Sequence, residues 1–131
     1  MSREKKEKPL VAVVDDEPDF LALVERWLQG EYRVAAFTST KEAREALPTL
    51  QPDLVLLDIH MPEGSGFQLC RFLREDPRTT WSPIVFLTGS RSDEDFLLHM
   101  EAGGSRYLNK PISREGLLHS VADCLGAARS G

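Results

Sequence analysis

Apolar residues gather into five short runs, at 10–14, 34–37, 54–57, 84–87 and, more weakly, 107–108. None alternates apolar with polar positions. Continuous runs of this length predict strands buried on both faces, as in a parallel sheet. The segments between them carry helical spacing. Phe20, Leu21, Val24, Trp27 and Leu28 form one stripe over 18–29, with Pro18 suited to the first turn, where its missing N–H costs nothing. A second helix is predicted over 40–47, capped by Thr38, Ser39 or Thr40 and ended by Pro48. Three more follow over 66–74, 93–102 and 113–128, the fourth stopped by Gly103-Gly104. Ser113 with Gly116 three residues on is half a capping box for the last. A strand–helix unit repeated five times, with crossovers long enough to hold helices, predicts a doubly wound, three-layer α/β domain.

A chain of 131 residues suits one domain. We expect a flexible charged arm over 1–8, the domain over 9–128 and a short tail over 129–131. Hydrophobic residues make up 41%, enough for a real core and too many for disorder throughout. No apolar run approaches the roughly 18 residues of a membrane helix, and the charged start lacks an apolar signal core. The expected location is therefore cytoplasmic, with no membrane partner. A net charge of −5 argues against nucleic-acid binding by this chain alone. Cys70 and Cys124 lie far apart with no metal-ligand spacing, and are expected to be reduced and partly buried. Trp81, just before the fourth run, is expected to pack over the lower edge of the sheet.

Ligands of doubly wound sheets bind at the carboxyl ends of the strands. The first run is followed by Asp15-Asp16-Glu17, the third by Asp58, the fourth by Thr88-Gly89-Ser90 and the fifth by Asn109-Lys110-Pro111. Parallel strands bring these ends to one edge. Asp15, Asp16 and Asp58 would repel one another there unless cations sit among them. Lys110 supplies one positive charge. An open, oxygen-only donor set with no His or Cys cluster favours Mg2+ as the second.

Four motifs in order carry a family resemblance: Val14-Asp15-Asp16-Glu17-Pro18, 58–66 from Asp58-Ile59-His60 to Gly66, Thr88-Gly89, and Tyr107-Leu108-Asn109-Lys110-Pro111. Across 9–127 the chain resembles the receiver domain of bacterial two-component response regulators, of the chemotaxis-regulator type. That resemblance implies a flavodoxin-like fold with strand order 2-1-3-4-5. It implies a phosphorelay switch rather than a turnover enzyme, accepting a phosphoryl group on Asp58 from a histidine kinase or phosphotransfer protein. Asp15, Asp16, Asp58 and the His60 carbonyl would hold Mg2+, with Asp16 a direct ligand and Asp15 acting through water. Lys110 would contact the phosphoryl group, followed by a cis bond to Pro111. Thr88 and Tyr107 would be the switch pair, altering a face over 93–128 that binds an output partner or a second copy. Gly89 stands where the family often has Ala, leaving space beside the phosphoryl group. The His60 side chain is either a solvent-facing loop residue or a group over the phosphoryl site.

Two other readings remain open from sequence. A non-phosphorylated interaction domain would keep only the fold. An aspartate-nucleophile phosphatase of the haloacid dehalogenase type needs Asp-x-Asp after its first strand, where this chain has adjacent Asp15-Asp16.

Overall fold

The computed structural model describes residues 7–61, 64–89, 103 and 106–130. The main sheet holds β1 (Leu10–Val14), β2 (Arg33–Phe37), β3 (Leu54–Asp58), β6 (Ile84–Thr88) and β7 (Arg106–Asn109). All neighbours pair in parallel, in the order β2-β1-β3-β6-β7. This is the 2-1-3-4-5 order expected, counting main-sheet strands alone. β4 (His60–Met61) and β5 (Gly64–Ser65) form a small antiparallel hairpin that the run pattern did not predict.

The helices are α1 (Pro18–Leu28), α2 (Thr40–Leu50), α3 (Gly66–Glu75) and α4 (Arg114–Ser130). The helix expected over 93–102 lies outside the described residues. Side chains alternate across each strand, so every central strand feeds two cores. Val11, Val13, Leu56, Val85 and Leu87 pack with α1 and α4. Ala12, Val14, Leu57, Ile84 and Phe86 pack with α2 and α3. Three layers result, as predicted.

β1, β3 and β6 are buried along their whole length. β2 and β7 depart from expectation, since both are partly exposed. They are the outer strands, and an edge strand has a neighbour on one side only. Pro48 is a second correction. It does not end α2, which continues to Leu50. Proline's fixed φ is itself helical, so near the end of α2 it removes one N–H and crowds the carbonyl four residues back without stopping the last turn. The closing turn is made instead by the Gln51 N–H, which donates to the Leu47 carbonyl at 2.8 Å, with Gln51 at φ 49°. Of the three candidate caps for α2, Ser39 is the one used, accepting from the Glu42 N–H at 3.1 Å. Ser113 likewise accepts from the Gly116 N–H at 2.9 Å. Both cysteines are free and buried, and burial pushes the Cys70 thiol up to about 11. Trp81 is 49% exposed, with its indole N–H on the Arg78 carbonyl.

Candidate functional site

β1, β3, β6 and β7 all deliver their last residues to one edge of the sheet. Asp15 directly follows β1 and is fully buried, and Asp58 ends β3 at 6% exposure. Carboxylate oxygens of Asp15, Asp16 and Asp58 lie within 4.8 Å of one another. Among the described residues this is the one group of acids, histidines or cysteines arranged to hold a metal ion.

Lys110 follows β7 across a cis bond to Pro111, and its own N–H donates to the Thr88 carbonyl at 2.7 Å. Its ammonium donates to Asp15 Oδ2 at 2.7 Å and to Glu17 Oε1 at 3.3 Å, and stands 3.8 Å from Asp58 Oδ2. It also lies 4.4 Å above the centre of the Phe20 ring, within reach of a cation–π attraction. Burial disfavours the charge on Lys110. The hydrogen bond and charge of Asp15, with help from Asp58 and Glu17, more than offset this and leave its pKa above the ordinary lysine value.

Asp58 goes the other way. Burial pushes its carboxyl up to about 6, and the charges of Asp15 and Asp16 add to the shift. The His60 N–H, bonded to Asp58 Oδ1 at 3.1 Å, and the Lys110 ammonium oppose it without cancelling it. Asp15 spends one oxygen on the Glu17 N–H at 2.9 Å, which fixes the turn into α1. Oxygen donors, excess negative charge and an open side suit a hard divalent cation, and the cluster fits a Mg2+ site.

Gly66 seats α3 against this cluster. Its N–H donates to the Ile59 carbonyl at 2.8 Å. A Cβ at Gly66 would lie against the Asp58 carbonyl oxygen, so no other residue fits without moving the chain. At Gly89, by contrast, a Cβ would meet nothing within 4 Å among the described residues.

Thus Asp15, Asp16, Asp58 and Lys110 converge as predicted. Thr88 is fully buried at the end of β6. Tyr107 is half-buried in β7, packed towards the α2–α3 side and three residues before Lys110. His60 has an exposed side chain, while its backbone N–H reaches Asp58. Ser90 and residues 93–102 lie outside the described residues. Two partners of Lys110 were not given roles from sequence. Glu17 was visible as part of the acidic triplet. Phe20 looked like a core position, and nothing local shows that α1 lays its ring under the end of β7.

Residues 11–122 match the family model of the response regulator receiver domain, and the chain belongs to that family. Receiver domains are the phosphorylatable switch modules of two-component signalling, served by histidine kinases or phosphotransfer proteins. The chain is 41% identical over 113 residues to a probable cyclic di-GMP phosphodiesterase of Vibrio cholerae, covering 86% of this chain and 26% of that protein. It is 36% identical over 112 residues to the DNA-binding response regulator MtrA of Mycolicibacterium smegmatis, covering 85% of this chain and 48% of that one. The chain therefore spans half or less of these relatives. Its fold is also that of the receiver domain of the sensor histidine kinase PA1611 from Pseudomonas aeruginosa, at TM-score 0.84 and 25% identity, covering 91% of this chain and 98% of that one. That structure has a magnesium ion coordinated in its active-site cleft. Among the described residues of the present chain, no helix is long and apolar enough to cross a membrane.

Proposed function

We propose that Asp58 is the phosphoryl acceptor of this receiver and that Lys110, Thr88 and Tyr107 convert its modification into a change of surface. The observation that supports this most is the cluster itself: Asp58 within 4.8 Å of two further carboxylates, with the Lys110 ammonium alongside. A carboxylate oxygen of Asp58 attacks the phosphorus of a donor phosphohistidine in line. The P–N bond breaks as the P–O bond forms, and the imidazole leaves. Such a transfer is mostly positioning and charge stabilisation. Asp15, Asp16 and Asp58, with the His60 carbonyl, would hold Mg2+. The ion, when bound, supplies positive charge to the transferring group. Lys110 gives up part of its hold on Glu17 and Asp15 and donates to a phosphoryl oxygen. Thr88 donates its hydroxyl proton to another.

Modification takes Asp58 from a charge of −1 to about −2. Thr88 moves towards the new oxygens, Tyr107 turns inward, and the face over 93–128 changes. The readout is an output partner or a second copy of the chain. The donor is a histidine kinase or phosphotransfer protein in the cytoplasm. The domain spans 9–128, and this chain alone contacts neither nucleic acid nor membrane. It acts as a self-modifying switch, not a turnover enzyme.

Incubation with acetyl phosphate and Mg2+ should add one phosphoryl group, labile to hydroxylamine, as read by intact mass. Asp58→Asn should abolish it. Equal labelling of that variant overturns the assignment.

A further inference from the structure

The first turn of α1 and the ammonium of Lys110 hang on one carboxylate. Asp15 Oδ1 accepts from the Glu17 N–H at 2.9 Å, and Asp15 Oδ2 accepts from the Lys110 ammonium at 2.7 Å. The Glu17 carbonyl in turn accepts from the Leu21 N–H at 3.1 Å, which closes the turn that carries Phe20. The Phe20 ring is half-buried and packs against the α1–α4 core. It is therefore a fixed wall rather than a loose side chain, and the Lys110 ammonium stands 4.4 Å from its centre. Leu23, Pro111 and Ile112 complete an apolar groove of about 370 Å³ beside it, and their side chains offer the ammonium no acceptor.

We propose that Phe20 is a positioning residue for Lys110, its ring face holding the ammonium at the acceptor site by cation–π attraction. This rests on the reading of Asp58 as phosphoryl acceptor and of Lys110 as the cation that meets the transferring group. Lysine carries a point charge on a flexible four-carbon stem, so hydrogen bonds alone leave it free to swing when they break. Asp15 and Glu17 each take a proton of the ammonium, and those bonds are exchanged when a phosphoryl oxygen arrives. The ring attracts the charge as a whole through its quadrupole. That attraction reaches to about 6 Å, so it survives a small shift of the ammonium towards Asp58 Oδ2, now 3.8 Å away. Without the ring face, more molecules hold Lys110 away from the site, and the rate falls with the fraction that remains ready.

The test is the rate at which acetyl phosphate and Mg2+ label the full chain, read by intact mass over time. So small a donor needs no docking surface on α1, and the rate reports on the site alone. Phe20→Leu keeps apolar bulk and removes the π face, and it should slow labelling about three- to tenfold, as suits a partly buried pair. Phe20→Tyr keeps the face and should label within about twofold of wild type. Mono-, di- and trifluorophenylalanine placed at position 20 withdraw charge from the ring face with little change of shape. Across that series the rate should fall stepwise towards the leucine value, and the series serves alone if the leucine protein does not fold. An unchanged rate in Phe20→Leu overturns the proposal. A flat fluorinated series also overturns it, because packing then accounts for any loss, as does a tyrosine variant as slow as the leucine one. If wild type and Asp58→Asn label alike, the phosphoryl-acceptor reading itself falls. If wild type labels, Asp58→Asn does not and the fluorinated series is flat, only the present inference falls.

Discussion

The two edges of one sheet are built on opposite terms. At the amino edge, polar side chains close onto backbone. Ser82 donates to the Pro52 carbonyl at 2.7 Å, Thr79 to the Leu73 carbonyl at 2.8 Å, and Asp53 accepts from the Leu10 N–H at 2.7 Å. Arg74 ties the Thr80 and Ser82 carbonyls to that of Gly103. At the carboxyl edge, three carboxylates face one another, and one ammonium serves Asp15, Asp58 and Glu17. The first arrangement satisfies each group where it stands. The second leaves negative charge uncompensated until a cation arrives. The contrast teaches that the same parallel topology separates holding the fold from doing the chemistry.

The largest effect that would break this contrast is on labelling. Asp58→Asn should remove all acetyl phosphate labelling, while Ser82→Ala leaves the labelling rate within about twofold, a difference too small to implicate a positioned catalytic group. Intact mass over time reads both.

The next effect is the pH dependence of stability without metal. Asp58 has a folded pKa of about 6, above its ordinary unfolded value. The native state therefore holds the proton more tightly between those values. This contribution is fully present below about pH 4 and is lost as pH rises through about 6, an effect of at most about 3 kcal/mol. Urea unfolding at a series of pH values should show Asp58→Asn more stable than wild type at pH 7, with the gap closing towards pH 4. A gap that stays constant with pH would show that the carboxylates do not strain the fold.

Ser82→Ala at the other edge should have the opposite sign. It strips the donor from a buried carbonyl and should cost about 1–3 kcal/mol at any pH in that range. The smallest effect is that of Mg2+, which should stabilise the wild type by about 1 kcal/mol at a several-fold excess over its dissociation constant. Asp16→Asn should lose most of that gain and Ser82→Ala none, as measured by thermal unfolding.

Sequence reveals this division unevenly. The acids of the carboxyl edge are adjacent to strand ends, so Asp15, Asp16, Asp58 and Lys110 could be placed together once the strands were read as parallel. The buried strands were legible because β1 is apolar throughout and β3 and β6 are apolar up to their last residues, Asp58 and Thr88. The run in β2 looks the same, yet β2 is an outer strand, and nothing local in its sequence records how many neighbours it has. The hairpin of β4 and β5 was missed because two-residue strands have no period to detect, although Pro62 and Gly64 are turn signals. The place of Phe20 beside Lys110 depends on how α1 lies against the end of β7, which hydropathy does not encode.

Gly66 carries a last consequence. With α3 pressed onto the Asp58 carbonyl, the acceptor's main chain has nowhere to retreat. A phosphorus and three oxygens added to its side chain must then displace neighbours rather than push their own anchor back. On the proposed roles of Asp58, Lys110 and Thr88, the stiffness of this contact would set the direction of the response, with strain from the new group sent outward to β7. On that reading Gly66, which touches the backbone of Asp58 rather than its carboxylate, would be the backstop against which the switch is thrown. Gly66→Ala, by loosening it, should uncouple modification from response as much as it weakens the fold.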